Sequence, residues 1–321
     1  MNYPATGANK VTSKQRRQFL AGSVAMASGV LIPALLPATV RAALTTTWGD
    51  GEVTVISDGH LSLPASFIAP QGIEVTELEA LLAKYQLPTD RATPDCNITL
   101  WRTENRLVLF DVGAGPNFMP SAGQLLANME ELGIDPADIT DVVFTHAHPD
   151  HLWGLIDDFD ELAFPEAAYY MGRAEWDFWR ADATLEKMPE ARKSFVVGAR
   201  NRFAYLEDRI QLFDAGDEII TGLEAIDTAG HTPGHMAFAV HIGSESLVLA
   251  GDAITNVALS FERPDWPSAS DHDPEAGRKT RRRLLDRLAG DNSRLVGYHL
   301  PHPGFGRVLA EGDHFLFEAD G

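Results

Sequence analysis

Three imidazoles and one carboxylate fall within six consecutive positions of this 321-residue chain, in the run Thr145-His146-Ala147-His148-Pro149-Asp150-His151. Imidazole and carboxylate are the side chains that borderline divalent metals prefer. In an extended or turning loop, His146 and His148 project to one side. Asp150 and His151 can then turn toward a second point. The run directly follows the apolar stretch Val142-Val143-Phe144, so it grows out of a buried strand, where a solvated tag would not sit. It reads as a metal site; the alternative is a polar surface turn.

Three further donors lie far along the chain. GHTPGH places His231 in a glycine-rich turn, SLVLAGD brings Asp252 to the end of an apolar strand, and GYHLPHPGFG sets His299 at the end of another. Each falls at a strand's carboxyl end or just beyond it, where layered α/β proteins assemble their sites. The chain lacks a G-x-S-x-G elbow for a nucleophilic serine and a G-x-x-x-x-G-K-[ST] loop for phosphates. Serine hydrolase and P-loop nucleotide chemistries therefore lose support.

The elements that must carry these residues alternate in type. GEVTVISDGHLSLP suggests a hairpin around Asp58-Gly59, and NITLWRTENRLVLFDVGAG reads as strand, turn and buried strand. SAGQLLANMEELGI has helical spacing, with Leu125, Leu126, Met129 and Leu132 on one face and Gly133 as its stop. The stretch from about 165 to 210 looks mainly helical. Strands return in IQLFD, GLEAIDTAG, MAFAVHI and SLVLAGD, followed by a basic helix in GRKTRRRLLDRLAG and a strand-like LVGYHL. This order predicts a layered α/β architecture.

Composition narrows the partners. Apolar residues make up 45% and charged residues 22%, both ordinary for a globular chain. The formal charge is 26 − 46 = −20, which repels phosphate backbones and anionic lipid and argues against nucleic-acid or membrane-surface binding. The one cysteine, Cys96, allows no internal disulfide and is expected to be a small buried hydrophobe outside every ligand motif.

Residues 1–43 are expected to be an address. They hold five basic residues and no acidic ones, so the remainder is near 21 − 46 = −25. Paired Arg16-Arg17, a short weakly apolar stretch broken by Pro33 and Pro37, and VRAA as a cleavage site form a twin-arginine-type signal. That predicts the twin-arginine export machinery as a partner and a periplasmic or secreted location. The stretch is too short and proline-broken for a stable membrane anchor. Residues 44–321 are then the mature, folded domain.

The ligand run and its distant partners resemble the metallo-β-lactamase superfamily over about residues 45–315. That resemblance implies an αββα sandwich, two sheets flanked by helices, with two metals at one edge. His146, His148 and His231 would hold the first metal; Asp150, His151 and His299 the second. Asp252 would bridge both, together with a water or hydroxide, which makes Asp150 and Asp252 the carboxylates of the catalytic centre. Two such cations lower the pKa of a shared water and polarise a carbonyl or phosphoryl oxygen. Zinc is the first expectation, with manganese, iron and cobalt compatible with the same donors.

VTVISDGHLSLP, THAHPDH, LAFPEA, EWDFW, GHTPGH, LAGDAI and HLPHPGFG are similar to an exported subgroup containing methyl parathion hydrolase and related esterases and lactonases. One departure stands out: His302 occupies a position that is usually apolar there, and Arg307 one that is usually histidine. His302 thus competes with His299 for the last ligand place, and His299 is assigned by its position in H-x-x-x-P-G-x-G. His302 would otherwise stand at the pocket rim. Phe118, Trp179 and Phe195 fall where that subgroup has an apolar leaving-group pocket, or else pack the helical core. Asp111 orients a ligand or caps its glycine turn. His235 supports the site from its turn; His60, His241, His272 and His314 are left out. The expected function is hydrolysis of ester or lactone bonds, with phosphotriesters as a promiscuous substrate. A β-lactamase and a non-enzymatic metal binder are the rivals, and LTTTWGDGEVTV offers a segment for a homodimer.

Overall fold

The computed structural model describes residues 43–320 except 68, 71 and 244. The expected export signal, but for Ala43, lies outside the described residues. No described helix is long and apolar enough to cross a membrane.

The first half of the chain lays down β1 (Ala43–Trp48), β2 (Gly51–His60), a short ribbon of β3 (Leu63–Pro64) and β4 (Arg91–Ala92), then β5 (Asp95–Arg102), β6 (Leu107–Phe110), β7 (Asp141–Phe144), β8 (Ala168–Gly172) and β9 (Ile210–Phe213). All but the ribbon join in a seven-stranded sheet in the order β1-β2-β5-β6-β7-β8-β9. The second half adds β10 (Glu218–Ile220), β11 (Leu223–Asp227), β12 (Met236–Ile242), β13 (Glu245–Leu249), β14 (Arg294–Val296), β15 (Phe305–Glu311) and β16 (His314–Ala319), a second sheet in simple chain order.

Side-chain alternation along each strand sorts the sheets into layers. On β6, Val108 and Phe110 face the core between the sheets, while Leu107 and Leu109 face the helices outside. On β7, Val143 points inward and Val142 and Phe144 outward; on β13, Leu247 and Leu249 point inward and Val248 outward. Helices Leu125–Glu131, Arg173–Arg180 and Lys193–Phe203 cover the first sheet, and Pro274–Asp291 covers the second. Each fully buried Val, Leu or Phe contributes roughly 1.5–3 kcal/mol. The result is the expected αββα sandwich.

Helix Pro274–Asp291 shows how sequence sets its ends. Asp273 accepts hydrogen bonds from the N–H groups of Glu275 and Ala276, Pro274 occupies the first helical position, and Asn292 closes the helix in the left-handed region at φ 51°.

Three expectations need correction. Asp58-Gly59 is no hairpin turn: β2 runs through it with a bulge, and the hairpin closes at Gly49-Asp50 between β1 and β2. The buried Asp58 carboxylate accepts hydrogen bonds from the N–H groups of Ala114 (2.8 Å), Gly123 (3.1 Å) and Leu125 (2.7 Å), so Asp58 stitches loops together. Those bonds also delay the following helix until Leu125. Its buried face is Leu125 and Met129, while Leu132, beyond the last turn, is exposed. In LVGYHL, only Leu295 and Val296 belong to β14, and the turn beyond frees Tyr298 and His299 to reach the site.

Candidate metal centre

Backbone geometry separates the two halves of the His-rich run. His148 is extended (φ −67°, ψ 159°), and Pro149 opens the short helix Pro149–Leu152. His146 and His148 therefore serve one point, while the helical turn carries Asp150 and His151 toward another.

The first point gathers three imidazoles. His148 Nδ1 lies 2.9 Å from His146 Nε2 and 2.8 Å from His231 Nε2, and His231 Nε2 lies 3.2 Å from Asp252 Oδ2. Zinc–nitrogen bonds of about 2.0–2.1 Å in a tetrahedron imply ligand separations of roughly 3.3 Å, so this spacing suits a small cation. At the second point, His151 Nε2 lies 3.4 Å from Asp150 Oδ2 and 3.1 Å from Asp252 Oδ1. His299 Nε2 lies 3.2 Å from Asp150 Oδ2 and 3.4 Å from Asp252 Oδ2. Asp252 thus faces both points. Asp150 Oδ2, His151 Nε2 and Asp252 Oδ1 are buried and, despite these approaches, lack a hydrogen bond. Buried polar atoms normally find partners. A cation shared among them supplies one, so the donor set fits divalent metal.

The far nitrogens fix the near ones. His151 Nδ1 lies 2.8 Å from Asp111 Oδ2, and His299 Nδ1 lies 2.8 Å from the Asp95 carbonyl. Those acceptors engage the Nδ1 proton and leave Nε2 aimed inward. His231 Nδ1 lies 3.2 Å from Asp271 Oδ1, and His146 Nδ1 lies 3.0 Å from Thr145 Oγ1. Thr145 Oγ1 in turn donates to Asp111 Oδ2 at 2.8 Å. Asp111 takes a left-handed φ of 63°, tolerated better by Asp than by most residues. Of the two roles open to it, the orienting one is what the structure shows.

Burial is the largest influence on the titration of His146, His148, Asp150, His151, Asp252 and His299. It holds His146 and His148 well below the usual imidazole range, and neighbouring imidazoles push the same way. Burial also opposes charge on His151 and His299, yet the carboxylates around them outweigh it and raise both well above that range. Asp150 and Asp252 are held low by those same imidazoles despite their burial. His146 and His148 are thereby kept as neutral nitrogen donors, whereas His151 and His299 face carboxylates of opposite charge.

His235 supports the bridge. Its Nε2 accepts the Asp252 N–H at 2.9 Å, so the proton sits on Nδ1, which donates to Thr228 Oγ1 at 2.8 Å. Asp252 lies in a tight turn whose Gly251 has φ 51°, and a Cβ there would stand 2.7 Å from His235 Nε2. Glycine satisfies both demands.

The remaining residues sort less evenly. Phe118 and Phe195 line an apolar pocket that opens onto His148, Asp150, His231, Asp252 and His299, with Leu61, Leu63 and Leu82 among its other walls. Trp179 is not a pocket residue. It is fully buried, donates its indole N–H to Glu175 Oε1 at 2.6 Å, and packs edge-on behind His148 at 5.6 Å. His302 does not line the pocket either: its Nδ1 lies 2.7 Å from Asn97 Oδ1, and its N–H donates to Asp95 Oδ2 at 2.9 Å. The reason is the turn at 297–304, which points His299 inward and His302 at β5.

Several neighbours escaped the sequence reading. Asp271 holds His231, and Tyr298 donates to the Asp150 carbonyl at 2.6 Å while stacking on His151 at 3.8 Å. His272 lies 5.7 Å from His148 between ring centroids. Cys96 is buried as expected, but its sulfur lies within 4.8 Å of donor atoms of Asp150 and His299. Burial pushes its thiol up to about 12. A lone Asp or Tyr carries no spacing signature, so only Asp271's nearness to His272 and Tyr298's to His299 could have drawn attention.

The donor set defines a candidate metal centre, and the chain belongs to the metallo-beta-lactamase superfamily, which residues 93–299 match. Among solved structures it is similar to AidC, a dizinc quorum-quenching lactonase in complex with a product, N-hexanoyl-L-homoserine. The TM-score is 0.82 at 27% identity, covering 87% of this chain and 98% of that one. It is also similar to AbOPH, a hydrolase in the beta lactamase superfamily, with TM-score 0.81, 26% identity, and coverage of 88% and 98%. An N-acyl homoserine lactonase, AttM of Azorhizobium caulinodans, is 33% identical over 132 residues, 40% of this chain and 46% of that protein. A probable metallo-hydrolase of Mycobacterium bovis is 27% identical over 188 residues, 49% and 56% respectively. The chain spans about half the length of these curated relatives.

Proposed function

We propose that this protein is a dinuclear metal-dependent hydrolase of lactone and ester bonds, with aryl esters and phosphotriesters as secondary substrates. The observation that carries the reading is the set of buried donor atoms converging at the floor of an apolar pocket, several of them without any other partner. Two divalent cations, zinc first, would supply an activated water at neutral pH and polarise the scissile carbonyl. His146, His148 and His231 would hold one, Asp150, His151 and His299 the other, and Asp252 both.

The protein's own residues do the rest. Asp111, Asp95 and Asp271 orient the imidazoles; His235 fixes Asp252. Phe118, Phe195 and the leucines around them accept an acyl or aryl group and exclude water. The similarity to a lactonase of nearly equal extent supports lactones as the first substrate class. Residues 1–43 carry the pattern of an export signal, which supports a periplasmic or secreted setting.

The test is a hydrolysis panel of N-acyl homoserine lactones, aryl esters, phosphotriesters and β-lactams on protein of defined metal content. Turnover of lactones and esters that vanishes on chelation and returns with zinc is expected. Turnover of β-lactams alone would replace this reading with the β-lactamase one.

A further inference from the structure

Glu175 sits in the first turn of helix Arg173–Arg180, and none of its surface reaches solvent. Both carboxylate oxygens are fully engaged. Oε1 accepts from the Ala147 N–H at 2.9 Å and from the Trp179 indole N–H at 2.6 Å. Oε2 accepts from Thr232 Oγ1 at 2.6 Å and from the Gly234 N–H at 3.1 Å. Ala147 stands between His146 and His148, and Thr232 follows His231. One side chain therefore ties together the two loops that bring the three imidazoles to a common point. Through Trp179, which packs on the outer side of the His148 ring, it also backs His148. A carboxylate sealed from water costs several kcal/mol unless its lone pairs are satisfied, and an apolar side chain would avoid that cost. What an apolar side chain could not do is hold two backbone N–H groups from separate loops at fixed spacing.

The other half of the centre is held differently. His151 leans on Asp111 and His299 on the Asp95 carbonyl, and neither touches Glu175. Glu175 thus serves the three-imidazole half alone, whereas Asp111 reaches both halves, His151 directly and His146 through Thr145 Oγ1.

We propose that Glu175 is a positioning residue for the three-imidazole half of the centre, setting metal affinity at that half alone. The inference rests on the two-metal reading above. Its test uses the metal-stripped full-length protein, reloaded with zinc and titrated against a chromophoric chelator, alongside three variants. Glu175→Gln places an amide N–H₂ where two donors now point. Thr232→Val removes a single donor and leaves the carboxylate in place. Tyr298→Phe perturbs the opposite half by removing the hydrogen bond to the Asp150 carbonyl. Wild type should release two zinc ions in two resolved steps. Glu175→Gln and Thr232→Val should weaken the same step by about 10–100-fold, the usual effect of losing a partner behind a ligand. Tyr298→Phe should weaken the other step. The melting temperature of the metal-free Thr232→Val protein should stay close to wild type, which a purely structural role would not predict. If Glu175→Gln and Thr232→Val shift both steps equally, or neither, the assignment is overturned while the two-metal reading stands. If wild type takes up fewer than two zinc ions, the two-metal reading itself falls, and this inference with it.

Discussion

Which way a ligand imidazole points is decided by what holds its far nitrogen. His299 and His302 make the case, since the sequence offers both three positions apart. The Asp95 carbonyl turns His299 inward, while Asn97 and Asp95 keep His302 on β5. His299→Ala should therefore lower zinc content by about one ion per chain, and His302→Ala should leave it unchanged, as read by elemental analysis of purified protein. Asp58 gives a second prediction. Burial raises its carboxyl to about 6 although three backbone N–H groups oppose that shift. The folded chain then holds a proton that the unfolded chain releases near pH 4, so this group's contribution to stability falls as pH rises from about 4 to 6. The loss is on the order of 2–3 kcal/mol. Urea unfolding of the metal-free protein across that window should show the decline, and Asp58→Asn should flatten it. The converging donors were legible because they cluster in one run or end apolar strands. Glu175 was not, because its donors lie up to 59 positions away and nothing near it in sequence announces them.

Elements were read well where both faces of a strand are apolar and poorly where a side chain replaces a turn. Val142-Val143-Phe144 could only be a buried strand, and it is. Asp58-Gly59 looks like a turn by composition, yet the loops anchored on the Asp58 carboxylate keep β2 running. The two tryptophans of EWDFW were placed on one helical face correctly, as Trp176 and Trp179 are both buried. Spacing could not say whether the pocket or the core lay against that face. Helix Lys193–Phe203 supplies the prediction at this scale. It docks on Trp153 through Gly198, where an added Cβ would stand 2.3 Å from the indole. Trp153 meets Phe118 at 5.4 Å, so the strain would reach the pocket wall. Gly198→Ala should cost about 1–3 kcal/mol by urea denaturation, the usual price of overpacking.

At the scale of the molecule, the layered class was legible from the alternation of strands and helices, and the αββα form from the resemblance. The division of labour along the chain was not. Each sheet is built from one continuous stretch, residues 43–213 and then 218–319, with no strand exchanged. Donors come from both: His146 and His148 follow β7, whereas His231, Asp252 and His299 follow β11, β13 and β14. Among the described residues, the chain passes from one sheet to the other through the exposed link Asp214–Asp217. A chain severed there consists of two halves, each with a complete sheet and an incomplete set of donors. Co-expressed as separate polypeptides, the halves should co-purify more strongly with zinc than after chelation, so that the cations act as the clasp of a molecule made in two pieces. Equal recovery with and without zinc would show that the apolar seam suffices.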